Sequence, residues 1–260
     1  MRVLVTFAVE AEFAPWRKLC SFVRFPAEGL DLWKSSTSNA ELFALLTGIG
    51  EQSAAHAMDL ALRFANSERY FDVCVSSGFS GALRSEHKVG EILAARSVRA
   101  KAVHADLKSD SILTDVGLVE LAEANGAKIV ETFYTAERVA ITTKDKVHLA
   151  ALADAVDMES FGIVKETSAW GARSIAIRSV SDGADKDLPI DFNRAISSSN
   201  QVSIPRVLAE LAKKPGALPS LIEFGRQSRR AAETLASFLN GFIDQLAANA
   251  KNQSNEGVAV

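Results

Sequence analysis

The 260-residue chain holds only two cysteines, Cys20 and Cys74, far apart and both in apolar settings. That excludes a disulfide framework and points to buried free thiols in a reducing compartment. No apolar run reaches the ~20 residues that a membrane-spanning helix needs. The apolar run at 3–7 meets Glu10 and Glu12 too soon for a secretory leader, so a cytoplasmic protein with no membrane partner is expected. Basic excess is missing: 29 Lys and Arg stand against 32 Asp and Glu, a net charge of −3. Such a balance gives no footprint for nucleic acid. His56, His87, His104 and His148 are scattered, and no Cys/His pair has ligand spacing, so no metal is expected. Neither a Gly-Lys-Ser/Thr phosphate loop nor a G-x-G-x-x-G fingerprint occurs. Internal repeats and low-complexity linkers are absent too.

What is there is ordinary globular composition, 48% hydrophobic and 23% charged, enough for a substantial core. Apolar strand-like runs at 3–7, 30–35, 42–47, 71–76, 89–95, 138–142 and 175–180 alternate with helical stretches. The helices are one carrying Phe13, Trp16 and Leu19, then 51–65, 145–153 and 158–170. This alternation predicts an α/β domain with a mixed, mostly parallel sheet. After residue 185 the character changes. Residues 186–203 read as loop, with Pro189 and the serines 197–199. A short helix follows at 205–213 with proline in its first turn. A long amphipathic stretch, 218–246, is expected to break or bend near Gly225 and Gly241. The domain is expected to span 1–248, with 186–248 a helical extension packed on it and 249–260 a flexible tail.

The 175–180 strand ends in Ser181-Asp182, and ligands of open α/β sheets bind beyond the carboxyl ends of strands. Val156-Asp157-Met158-Glu159-Ser160 places a carboxylate and a thioether at a helix start. Two acids from separate elements are minimal equipment for cleavage by proton donation and charge stabilisation. Gly48-Ile49-Gly50 and Gly78-Phe79-Ser80-Gly81 each follow a strand; they serve as turns or as places of close ligand approach. Each acid also has a purely structural reading. Glu12 suits a first-turn helix position, and Glu10 competes with it. Glu159 suits a helix-start acid paired with Lys165 or Arg173. Asp182 suits a cap or turn before Gly183.

Four blocks in register resemble the nucleoside phosphorylase/nucleosidase superfamily. They are Ala8-Val9-Glu10-Ala11-Glu12; Thr47-Gly48-Ile49-Gly50; Ser77-Gly78-Phe79-Ser80-Gly81-Ala82-Leu83 with Val89-Gly90-Glu91-Ile92; and the 156–160 and 175–182 motifs. The match looks nearest to methylthioadenosine/S-adenosylhomocysteine nucleosidases, with hopanoid-associated and futalosine-cleaving relatives. The resemblance implies a single-domain, three-layer αβα phosphorylase-like fold with extra C-terminal helices. It also implies roles. Glu12 positions and deprotonates the attacking water. Glu159 grips the ribose hydroxyls, with Met158 packing beneath the sugar. Asp182 protonates the purine, oriented by Ser181. Gly78, Phe79 and Ser80 line the substrate, Val139 and Ala140 fall near the purine-contacting backbone, and Phe192 caps the 5′ side. No metal or organic cofactor is implied, and a homo-oligomer is.

Those residue types suit the reaction. Breaking an N-glycosidic bond builds positive charge on the sugar and negative charge on the base. A carboxylate on the diol therefore binds the transition state preferentially, and an acid neutralises the leaving group. Two departures bear on the nucleophile. The family serine is replaced by Phe79, with Ser80 one place later. The arginines of the purine phosphorylases are replaced by Glu12 and Ser76. Without them a phosphate dianion is poorly stabilised, which favours hydrolysis. Arg17, Arg138 or Arg178 supplying that charge would favour phosphorolysis instead, with phosphate as a second substrate. A non-catalytic nucleoside-binding module is the third reading.

Overall fold

The computed structural model describes residues 1–68, 70–101, 109–197 and 200–256. Alternation within single strands decides the layering. In β1 (Arg2–Phe7), Val3, Val5 and Phe7 face one apolar cluster and Leu4 faces another. β5 (Val73–Ser76) divides likewise, with Val73 and Val75 opposite Cys74. Strands apolar on both faces must be covered on both. The first face is covered by α1 (Glu10–Leu19), α3 (Val116–Ala124) and α8 (Leu218–Glu256), through Phe13, Trp16, Leu118, Leu235 and Phe242. The second is covered by α2 (Glu51–Glu68) and α5 (Ser160–Ala169), through Ala54, Met58 and Ile163. The expected three-layer αβα architecture is what the chain adopts.

The other strands are β2 (Val23–Phe25), β3 (Asp31–Ser36), β4 (Glu41–Leu46), β6 (Phe79–Ala82), β7 (Ile92–Lys101), β8 (Ser109–Leu113), β9 (Lys128–Thr135), β10 (Ala155–Asp157) and β11 (Arg173–Asp182). Among the described residues they form one mixed sheet in the order β2-β3-β4-β1-β5-β11-β6-β10-β9-β7-β8. β11 is the pivot. Its first residues pair in parallel with β5, its middle runs antiparallel to β7, and its end pairs in parallel with β6. The β11–β7 pairing closes β11, β6, β10, β9 and β7 into a ring. A register shift between Val180 and Asp182 sets Asp182 opposite Gly81. Bulges of this kind re-aim side chains beside active sites.

Several elements differ from the sequence reading. Residues 138–142 form no strand; the backbone of Val139 bonds the Asn193 side chain instead of a ladder partner. The 158–170 helix starts at Ser160, which leaves Met158 and Glu159 in the turn before it. Within 186–203 lie a single helical turn, α6 (Phe192–Ala195), and a bridge from Ile196 to Val202. α8 runs unbroken past Gly225 and Gly241 and is helical to Glu256, beyond the point where a tail is expected. A helical glycine costs about 1 kcal/mol. Burying Leu235, Leu239, Phe242 and Leu246 returns roughly 1.5–3 kcal/mol each. β2, β6, β8, β9 and β10 carry too few apolar residues in period to announce themselves, and α3, absent from that reading, buries Leu118, Val119 and Ala122 on one face. α4 (Thr143–Ala150) and α7 (Ile204–Lys213) sit near their expected places. His104, Ser198, Ser199 and the end of the expected tail lie outside the described residues. Among the described residues, no helix is long and apolar enough to cross a membrane.

Candidate active site

A cavity of about 970 Å³ lies beyond the ends of β10 and β11. Its floor carries Met158, Glu159, Ser181, Asp182, Phe79 and Ser80, and Val139 and Ala140 also line it. Its far side is built by Phe192 and Ile196 from the α6 segment and Phe224 and Ala232 from α8. Phe192 packs on Phe224 with ring centroids 5.0 Å apart, so the helical extension forms the wall that Phe192 was expected to cap.

Glu12 lies one layer below this lining. Its Oε2 accepts hydrogen bonds from the Ala8 and Val9 N–H groups at 2.8 and 3.2 Å, and its Oε1 accepts one from Phe79 N–H at 2.8 Å. The structural reading of Glu12 as an acid serving the first helical turn is thus correct as well: Val9 is the N-cap of α1. Glu10 is excluded as its rival because it faces solvent and pairs with Arg17 at 2.8 Å. Gly78, at φ +139°, makes the close approach possible. A Cβ there would stand 2.7 Å from Glu12 Oε1 and 3.0 Å from Arg178 Nη1.

Arg178 is the electrostatic centre. Its side chain is 1% exposed and donates from Nε to Asp157 Oδ2 at 2.9 Å. Its Nη2 donates to Ser76 Oγ and Ser160 Oγ at 3.2 and 3.0 Å and lies 3.8 Å from Glu159 Oε2. Its buried Nη1 has no hydrogen-bond partner among the described residues. One guanidinium therefore serves three buried carboxylates, Asp157, Glu159 and Glu12. That is too few positive charges, and burial accordingly favours the protonated forms of Glu12 and Glu159. Burial pushes Glu12 upward, opposed by Arg178 and its backbone N–H donors. Burial pushes Glu159 up to about 8, against the pull of Arg178, and the neighbouring Asp157 and Glu12 add to the rise. Glu159 Oε1 also accepts the Gly50 N–H at 3.0 Å, which ties the Gly48-Ile49-Gly50 turn to the site. Neither Lys165 nor Arg173 pairs with Glu159; Arg173 is engaged by Asp115 at 2.9 Å.

Asp182 is no lone acid. Its Oδ1 accepts from Ser181 Oγ at 2.7 Å, and its Oδ2 faces the ammonium of Lys146 at 2.7 Å. Ser181 Oγ also reaches the Ser80 carbonyl at 3.2 Å. The Ser80 hydroxyl is buried and unpartnered among the described residues. Val139, expected to offer its backbone to a purine, has both N–H and C=O taken by the Asn193 amide at 2.8 and 3.1 Å.

Sequence reasoning singled out Glu159, Met158, Ser181, Asp182, Phe79, Ser80, Val139 and Phe192, which line one cavity, and Glu12 and Gly78, which lie against each other beside it. It missed Asp157, Lys146, Asn193 and Phe224. Arg178 had a signal, a charge inside an apolar strand, which demands buried partners. Lys146, within Thr142-Thr143-Lys144-Asp145-Lys146, had none.

The sequence matches the phosphorylase superfamily over residues 2–244. The chain belongs to that superfamily. Among superfamily relatives, a 5′-methylthioadenosine/S-adenosylhomocysteine nucleosidase from Shewanella halifaxensis is 23% identical over 203 residues, 70% of this chain and 86% of the relative. The fold is shared with futalosine hydrolase of Helicobacter pylori, at a TM-score of 0.72 and 20% identity over 94% of this chain and 98% of that one. It is shared too with the Neisseria meningitidis 5′-methylthioadenosine/S-adenosylhomocysteine nucleosidase in complex with methylthio-immucillin-A. There the TM-score is 0.70 and the identity 19%, over 94% of this chain and 99% of that one.

Proposed function

We propose that this superfamily member hydrolyses the N-glycosidic bond of a 5′-substituted purine nucleoside, with methylthioadenosine and S-adenosylhomocysteine as first substrates to assay. The observation that carries the reading is the convergence of Glu159, Met158, Ser181 and Asp182, from two strand ends, on one cavity. Glu159, its Oε1 fixed by the Gly50 N–H, grips the ribose diol. Glu12, locked by three N–H donors beside Arg178, takes the proton of a water reaching it from the cavity. An upward-shifted carboxyl suits that role, because a general base works best near the operating pH. Asp182 hands a proton to the departing base. Ser80 and Phe79 flank the sugar. Release of Val139 from Asn193 would free its backbone for the base edge.

Water rather than phosphate fits the charge distribution. The positive charge there is one guanidinium, already paired with Asp157 at 2.9 Å, so a dianion beside it would find little charge left to neutralise it. The apolar wall of Phe192, Ile196, Phe224 and Ala232 is the place for the 5′ substituent, and it gives room beyond a nucleoside. By analogy with the family, a homo-oligomer is the expected assembly. Asp182→Asn tests the assignment. It should lower kcat for purine release about 10²–10⁴-fold. An unchanged rate with methylthioadenosine, futalosine and inosine removes Asp182 from the mechanism.

A further inference from the structure

Lys146 is the only buried lysine among the described residues, at 1% exposure. Its Nζ donates to Asp182 Oδ2 at 2.7 Å, to the Gly183 carbonyl at 2.6 Å and to the Lys186 carbonyl at 3.1 Å. A lysine ammonium has three N–H donors and no acceptor, and here each donor has one partner. A neutral amine would leave one acceptor unserved, so the arrangement is built for the charged form. Burying an ammonium is costly unless it is fully paired, and an apolar residue could fill the same space in α4. Lys146 does not line the cavity, whereas Asp182 does. The ammonium therefore stands directly behind the carboxylate that faces the substrate. The rest of α4 holds it there: Thr142 caps the helix by accepting from Asp145 N–H at 3.1 Å, and Asp187 accepts from Thr143 N–H at 2.7 Å.

We propose that Lys146 is a positioning residue that acts through Asp182 and is the source of the proton taken up by the departing base. The proposal rests on the nucleosidase reading above. As the glycosidic C–N bond breaks, its electron pair passes to the base. One proton leaves Lys146 Nζ for Asp182, one leaves Asp182 for a ring nitrogen of the base, and the carboxylate between them is restored. The base departs neutral, and once it has left, a proton from cavity water returns to the Lys146 amine through Asp182. Asp182 relays the proton from the Lys146 ammonium to the base.

The experiment compares two leaving groups on full-length wild-type protein, Lys146→Met and Lys146→Gln. Methylthioadenosine needs base protonation. p-Nitrophenyl β-D-ribofuranoside does not, because its phenolate is stable. The ratio of kcat for methylthioadenosine to kcat for the phenyl riboside should fall about 100-fold or more in both variants, with KM for methylthioadenosine within about threefold of wild type. Loss of both activities in the same proportion, or an unmoved ratio, overturns the proposal. Should either variant fail to fold, a proton inventory on wild type decides. Water deprotonation by Glu12 is common to both substrates, so the relay predicts two more protons in flight for methylthioadenosine than for the phenyl riboside, and one or none overturns it. If wild type releases base from no purine nucleoside, the nucleosidase reading falls and the relay with it. If wild type does so and the ratio is unmoved, only the relay falls.

Discussion

Replacing Gly78 with alanine strikes the catalytic floor through two separable effects. The first is backbone strain: at φ +139° an L-residue is held in a sparsely populated region, at about 1–3 kcal/mol. The second is a collision. The new Cβ would lie 2.7 Å from Glu12 Oε1, and ordinary contact begins at 3.4 Å, so one side must yield 3.4 − 2.7 = 0.7 Å. Arg178 Nη1, at 3.0 Å, blocks retreat on its side, and Glu12 is held by the N–H groups of Ala8, Val9 and Phe79. A misplacement approaching 1 Å costs on the order of 10²-fold in rate. Gly78→Ala should therefore lower kcat for base release about 100-fold. Its melting temperature should fall roughly 2–12 °C, at about 2–4 °C per kcal/mol for a domain of this size. Gly126→Ala separates the two effects. Gly126 has φ +93° but nothing within 4 Å of its Cβ position, so that variant should lose stability and keep its turnover. Differential scanning fluorimetry and a base-release assay on both variants decide. A Gly78→Ala protein that melts within 1 °C of wild type and turns over within about twofold refutes the packing argument.

Two further perturbations follow from the same charge cluster. Asp157→Ala strands the buried Arg178 guanidinium and should cost about 3–5 kcal/mol, read as a fall of the order of 10 °C in melting temperature; a fall under 2 °C contradicts the pairing. Glu159, raised from 4.5 to about 8, binds its proton more tightly folded than unfolded. The folded protein thus carries the extra proton between those values, and this group's stabilisation is lost as pH rises through about 8. Glu159→Gln cannot lose a proton, so its melting temperature should fall less than wild type's between pH 6 and pH 8.5; parallel curves refute the shift.

The legible part of the fold is the part where burial dictates sequence. β1, β5 and β11 are continuous apolar runs because both faces are covered, and α1 and α2 show one apolar face each. Elements that touch solvent or ring-close the sheet were silent: β2 exposes Val23 and Arg24, and β9 has no strict alternation, its buried Val130 and Phe133 standing three residues apart. The candidate site was legible where chemistry requires a particular residue type at a strand end, as at Glu159 and Asp182. It was not legible where the partner comes from a distant surface-like helix. Nothing local to Lys146 announces that it will be buried against β11. The Asn193 amide on Val139 is another such pairing, since a single helical turn at 192–195 gives no periodic signal. The glycines at 225 and 241 misled because local propensity was weighed without the apolar face that α8 packs on the sheet.

The central claim is that water, activated beside Glu12, is the nucleophile. Incubating the protein with methylthioadenosine in phosphate-free buffer made with ¹⁸O-labelled water tests it most directly. The account predicts adenine release at full rate and one ¹⁸O at the anomeric position of the sugar product. Release that requires added phosphate, and that yields a ribose-1-phosphate, would contradict it.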